Sequence, residues 1–264
     1  MMISPIIFSA LLTAPADTSV TFTCSLIWRD SLHTETVQMD EQGNMYLLLG
    51  DVIKKYDQSG KLLVTQSFKG MGKIASLDVS NSLRPFLFYR DLNRMVMLDN
   101  TLSIQGQASQ LEKLGFQFVT LACQSPMSNT IWLYDQLEFR LLRVDRNFQI
   151  INNSGNITQI TGKDLDPLAI QEFGNMVYMN DPNHGILVFD MFGTYIKTIP
   201  LKGLGEFQVT ENGLFYTQDG ELQKYDFLSM QSVRYPLPCK VIFFRIGKNR
   251  LYISDEKQVS IFSC

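Results

Sequence analysis

One unit of roughly 36 to 46 residues recurs six times along this chain, and it restricts the possible fold more than any other feature. Each copy opens on a short aromatic-bearing apolar run: Asn44–Leu48, Phe86–Tyr89, Thr130–Tyr134, Met176–Met179, Gly213–Tyr216 and Arg250–Ile253. In five copies an apolar stretch then closes on an aspartate: Asp57, Asp99, Asp145, Asp190 and Asp226. Periods of this length belong to stacked or radially arranged supersecondary units.

The fourth copy shows what the unit is made of. Met176–Met179 is a strand-length run, and Asp181-Pro182-Asn183-His184-Gly185 is dense in turn formers. Ile186–Phe189 is a second run, closed by Asp190 and a turn at Gly193, and Thr194–Ile199 is a third, stopped by Pro200. Short β-branched and aromatic runs between such turn clusters read as antiparallel hairpins. An apolar segment precedes each unit and can serve as an innermost strand: Glu35–Asp40, Lys73–Val79, Phe118–Cys123, Leu168–Phe173, Glu206–Thr210 and Lys240–Ile246. The pattern therefore predicts an all-β, six-bladed β-propeller. The closing aspartates are expected to accept backbone N–H bonds in Asx-turns, away from the axis. A ring of metal ligands is the rival reading of five carboxylates in phase.

Closure of the ring follows from the ends of the chain. The sixth unit offers strands at Lys240–Ile246, Arg250–Ser254 and Gln258–Phe262, and then the sequence stops without an outer strand. Near the other end, Thr21–Trp28 is strand-like and precedes the first full blade. The N-terminal strand is expected to be the outer strand of the last blade, which removes two exposed sheet edges.

At 264 residues, one propeller over 17–264 accounts for almost the whole chain. A net charge of −3 with mixed signs and no basic stripe argues against a nucleic-acid partner. Residues 1–16 are distinct: an apolar run, Ile3–Leu12, precedes Ala14-Pro15-Ala16, a small-x-small cleavage pattern. They read as a signal peptide that lacks a basic residue before the apolar run, with a buried N-terminal strand as the alternative. The run is too short to span a bilayer as a helix, so no transmembrane segment is expected in the mature chain. A lipid anchor on Cys24 is disfavoured, because Thr21-Phe22-Thr23 has no small residue next to the cysteine. Four cysteines fit no zinc spacing. Closure of the ring would make Cys24 and Cys264 neighbours and a disulfide would bolt it shut, in keeping with an oxidising compartment. Four buried free thiols are the other reading.

Catalytic chemistry finds little support. Only His33 and His184 are available, which removes multi-histidine metal sites and weakens triad chemistry. No Gly-x-Ser-x-Gly or P-loop motif is present, and Gly70-Met71-Gly72-Lys73 precedes an inner strand rather than a helix. The acids of the inner segments, Asp40, Asp78, Glu172 and Glu206 with Asn81 nearby, are the only candidates for an axial calcium site. No catalytic, cofactor or metal residue is therefore assigned.

Two resemblances extend this reading. Val177–Asp190, with its tyrosine, its Asp-x-Asn-His turn and its closing Val-Phe-Asp, resembles an NHL repeat, although Gly185 stands where a basic residue is usual. Gly72–Asn81, Phe86–Asp91, Met97–Leu102 and Phe189–Tyr195 are similar to stretches of a family of exported propellers from Bacteroidetes, which includes the periplasmic plug of the type 9 secretion translocon. This second resemblance implies a periplasmic location and a role in occluding or gating an outer-membrane pore by protein contact. It carries no functional residues over.

The leading expectation is a non-enzymatic, protein-binding propeller of the periplasm. The alternative is a small-molecule-binding or calcium-dependent hydrolase at the axial channel. Docking is expected on the face formed by the longest connections, Asn100–Phe116 and Asn152–Pro167, with Leu102, Leu111, Leu114 and Phe116 as candidate anchors.

Overall fold

Each second strand of the repeat is apolar on both sides because each sheet is sandwiched between two others. A computed structural model of the chain describes residues 24–126, 128–237, 239–255 and 257–264, and the expected signal peptide, 1–16, lies outside them. Six four-stranded antiparallel sheets form the blades of a propeller. The inner strands are Thr36–Met39, Ser76–Asp78, Val119–Gln124, Ala169–Phe173, Phe207–Thr210 and Phe243–Gly247. All six fall on the segments expected to be innermost.

Side-chain alternation along the second strands divides each blade between two neighbours. In blade two, Leu87 and Tyr89 pack toward blade one with Tyr46 and Leu48. Phe86 and Phe88 turn the other way, to Leu133 and Leu142 of blade three. Blade three repeats the division, sending Trp132 and Tyr134 against Val177 and Phe189 of blade four. The outer strands have no sheet beyond them, and Leu62–Ser67 and Ile150–Asn153 are largely exposed.

Blade six is completed from the other end of the chain. Ser25–Asp30 pairs antiparallel with Val259–Ser263, in the register Ser25 opposite Ser263 and Asp30 opposite Val259. This is the expected closure: the part of the expected strand that the structure describes pairs as foreseen and continues two residues past Trp28, while Thr21–Thr23 lie outside the described residues. Trp28 locks the seam by packing on Tyr56 of blade one, with ring centroids 5.3 Å apart, and on Gly60, where φ is +87° and any Cβ would collide with the indole. The closing strand carries a bulge at Ile27. Equivalent irregularities place Leu63, Ile151 and Ile196 out of register in blades one, three and four. Bulges of this kind increase local twist and blunt an exposed edge. The N-terminal strand thus has the same irregularity as the native outer strands it stands in for.

The five aspartates form the Asx-turns expected of them. Each Oδ1 accepts two backbone N–H bonds: residues 59 and 61 to Asp57, 101 and 103 to Asp99, 147 and 149 to Asp145, 192 and 194 to Asp190, and 228 and 229 to Asp226. They join third strands to outer strands. In blade six that same junction is the Cys24–Cys264 disulfide, with Cα atoms 4.4 Å apart. A covalent bond therefore replaces the sixth turn. Gly185 is also explained: at φ +103° a Cβ would strike the carbonyl oxygen of Ile199, so the basic residue usual in an NHL repeat has no room.

Two outcomes test the closure. Removing Ser25–Asp30 should abolish a single cooperative melting transition, because it opens the ring and bares an edge; unchanged melting of the shortened chain would contradict the topology. Replacing Cys24 and Cys264 with serine should lower stability by up to about 5 kcal/mol, as expected for a cross-link that closes nearly the whole chain. Denaturant titration of oxidised protein and the variant measures the difference.

Candidate functional site

Two regions of a propeller can carry function, the axial channel and the faces. The channel is walled by the six inner strands, whose free edges leave backbone N–H and C=O groups facing inward. Side chains of neighbouring blades satisfy several of them. Gln171 accepts from Val209 N at 3.0 Å, and Gln208 both accepts from Ile246 N and donates to Ile246 O, each at 2.8 Å. Gln124 N donates to Asp78 Oδ2 at 2.7 Å. Arg245 spans the seam of the ring, donating to Gln38 Oε1 and to Glu206 Oε2, both at 3.0 Å.

Every acid proposed for an axial metal is already committed to hydrogen bonds or an ion pair, within its blade or across a blade junction. Asp40 accepts from Gln42 N, Asn44 N, Asn44 Nδ2 and the Tyr46 hydroxyl. Asp78 accepts from Ser80 N and Ser80 Oγ in addition to Gln124. Glu172 is buried, and its two oxygens take the Ser125 hydroxyl at 2.7 Å and the Trp132 indole N–H at 2.5 Å. Glu206 is paired with Arg245. Asn81 stands apart in a turn, accepting from Leu83 N. Among the described residues, no three His, Cys, Asp or Glu side chains are arranged to hold a metal ion.

The electrostatics of the channel follow from this enclosure. Asp78 is only partly exposed and surrounded by protein, so desolvation raises its pKa against the lowering effect of its hydrogen bonds and of Arg245, two blades away. Burial pushes the Cys123 thiol well up, with the charges of Asp78 and Glu172 adding to the effect. Cys123 is therefore a neutral thiol and a poor nucleophile. His184 lies in its turn between strands, with Nδ1 2.9 Å from Asp181 Oδ1.

The two faces differ in what they expose. Alternating strand directions put inner-to-second and third-to-outer turns on one face, the turn face. Second-to-third turns and blade-to-blade crossings share the other, the crossing face. The stretch Asn100–Phe116 is not one connection: its outer strand, Ser109–Gln110, sends residues 98–108 to the turn face and 111–118 to the crossing face. Asn152–Pro167 does cross between blades, after an outer strand ending at Asn153, and it contains the short helix Ile157–Thr161 capped by Asn156. Of the four candidate anchors, Leu102, Leu111 and Phe116 are buried in interblade cores, where the apolar positions of a long connection pack beneath it. Leu114 is 43% exposed.

Leu114 shares its face with exposed apolar residues that the sequence did not single out. Leu92, Phe118, Leu137, Ile160 and Leu168 are all exposed and all belong to the crossing face over blades two to four. Hydrogen bonds join the segments that bear them: Asn93 Nδ2 to Phe116 O at 2.6 Å, Gln136 N to Phe118 O at 3.0 Å, Asn156 Nδ2 to Glu138 O at 3.1 Å and Gln136 Nε2 to Leu165 O at 3.2 Å. The signal available in the sequence was an apolar residue amid the turn formers of each connection, which could not be told from a loop's own core residue.

Neither a protein-family model nor a curated protein matches the sequence. Solved structures are similar in fold. A streptogramin B lyase superposes with a TM-score of 0.63 at 11% identity, covering 91% of this chain and 97% of the lyase. BamB from Moraxella catarrhalis gives 0.54 at 9%, covering 92% and 98%. A propeller chain of the mitotic checkpoint complex gives 0.57 at 11%, covering 88% and 74%. Identities this low establish the propeller architecture and nothing of the activity.

The latch at Glu172 yields two expectations. Glu172→Ala leaves a buried indole N–H and a hydroxyl without an acceptor and should cost about 2–4 kcal/mol, whereas Glu172→Gln keeps acceptor oxygen and should cost less. Equal losses in thermal or denaturant unfolding would contradict the latch. Asp78 has a folded pKa above its unfolded value, so its contribution to stability is full below the unfolded value and declines as pH rises through the folded one. The stability of the native protein relative to Asp78→Asn should therefore fall as pH rises from about 4.

Proposed function

We propose that this protein is a non-enzymatic, protein-binding propeller that docks its partner on the crossing face over blades two to four. The observation that carries the reading is the set of exposed apolar side chains on that face, Leu92, Leu114, Phe118, Leu137, Ile160 and Leu168, on segments that hydrogen bonds link. Exposed apolar groups grouped on one face are a recurrent mark of protein contact, and rigid sheets hold the loops that present them. The turn face also exposes apolar residues, Leu83, Phe192, Leu228 and Met230 among them, but on separate turns of blades two, four and five.

The channel supports the non-catalytic half of the proposal: Asp78, Glu172, Glu206, Gln171, Gln208 and Arg245 join blades, and Asp40 is saturated within its own blade. BamB and the mitotic checkpoint chain show that this architecture occurs in proteins of diverse roles, and the lyases show that it also hosts enzymes. The disulfide fits an oxidising compartment. No helix among the described residues is long and apolar enough to cross a membrane. We extend the proposal to the bacterial periplasm, with a type 9 translocon component at an outer-membrane pore as the partner, on the strength of the sequence resemblance to exported Bacteroidetes propellers.

The test is affinity isolation from detergent-solubilised cell envelope, read by mass spectrometry. The triple variant Leu114→Glu, Leu137→Glu, Leu168→Glu should retain its melting transition and lose the proteins recovered with the native chain. Undiminished recovery would place docking elsewhere, and recovery without translocon components would reject the narrower assignment.

A further inference from the structure

A cleft of about 210 Å³ opens on the turn face between blades two and three, on the opposite side from the proposed docking surface. Its lining comes from four turns: the inner-to-second and third-to-outer connections of both blades. Two arginines, Arg84 and Arg146, reach it, and no carboxylate lines it. Neither guanidinium forms an ion pair with a described residue, although the chain as a whole is acidic. The acids of the flanking turns, Asp99 and Asp145, each accept from the backbone N–H groups two and four residues on, and Asp99 Oδ2 also accepts from Gln105 Nε2 in the cleft wall at 3.0 Å.

Beside the arginines the lining carries the carboxamides Gln107 and Asn129, with Gln105 tied through its Nε2 to Asp99, while Phe148 and Met97 supply apolar surface. Free guanidinium groups favour a carboxylate, which they can grip in a forked, charge-assisted pair. Carboxamides both donate and accept, which matches hydroxyl groups, themselves donors and acceptors. An aromatic ring and a thioether suit the C–H surface of a sugar ring. The volume is below the roughly 300 Å³ at which drug-sized sites begin, so the occupant is about one sugar ring in size.

We propose that this cleft binds a hexose-sized polyhydroxylated carboxylate, a hexuronate in free form or at the end of an acidic glycan. The carboxylate sits against Arg84 and Arg146, and the hydroxyls engage the carboxamides. The site is independent of the docking surface, so either proposal can fail without the other.

Saturation-transfer NMR on the intact protein tests it, with D-glucuronate and D-galacturonate as probes and D-glucose and acetate as controls. The uronates should show transfer to their ring protons that glucose does not, and excess acetate should not displace them fully. Arg84→Gln and Arg146→Gln should each weaken uronate binding by roughly tenfold, the second being a substitution at an exposed side chain that leaves the fold untouched. A trigalacturonate probe separates the sources: tighter binding than the monosaccharide identifies a glycan end, and weaker binding identifies the free sugar acid. Absence of transfer from both uronates, equal transfer from glucose, or binding unchanged in the two variants would overturn the proposal.

Discussion

Closure of the sixth blade is the constraint on which the rest of this structure depends. Each interblade core is built from two sheets, and each sheet serves two cores through the alternating side chains of its second strand. Blades one and six share a core only because the ring is shut, with Val37 and Met45 packed against Tyr252 and Ile261. The seam is held three ways: by strand pairing, by the disulfide, and by Trp28 resting on Tyr56 and Gly60. Pairing also removes the edge that the third strand of blade six would otherwise present to solvent or to another chain.

The same need for closure shapes the channel. Inner strands have no sheet on their axial side, so their backbone groups require partners from across the blade junctions. Glutamines at 171 and 208, and Arg245 at the seam, supply such bonds with reach and direction that a short apolar residue lacks. Polar residues at the axis of a propeller invite a catalytic reading. Here most of them bond from blade to blade, with Asp40 saturated inside its own blade, and this gives them a structural task. Buried Glu172, tied to Trp132 and Ser125, is the clearest case.

The two faces offer different chemistry. The crossing face groups exposed apolar side chains over three blades, suited to a protein surface. The turn face gathers unpaired arginines and carboxamides into a small cleft, suited to an anionic polar ligand. The two surfaces lie at opposite ends of the blades, so a bound ligand and a docked protein would not compete for the same atoms.

The sequence by itself determined the blades. Six apolar runs in phase, five aspartates, a spare strand before the first unit and a missing outer strand in the last were enough to count the blades, place the inner strands and identify the closing strand. These features are local or periodic, and short-range backbone chemistry fixes them. What the sequence left open depended on which residues meet across the ring. Leu102, Leu111 and Phe116 look like Leu114 in a linear reading, yet only Leu114 stays at the surface, because Leu102 packs into the core between blades one and two, and Leu111 and Phe116 into that between blades two and three. The bulges at Ile27, Leu63, Ile151 and Ile196 have no marker in composition, since register is a property of paired strands. The cleft between blades two and three draws its arginines from turns far apart in the chain, and the crossing face joins side chains from three blades. Only tertiary structure brings such residues together, because the radial arrangement makes neighbours of equivalent positions one whole repeat apart.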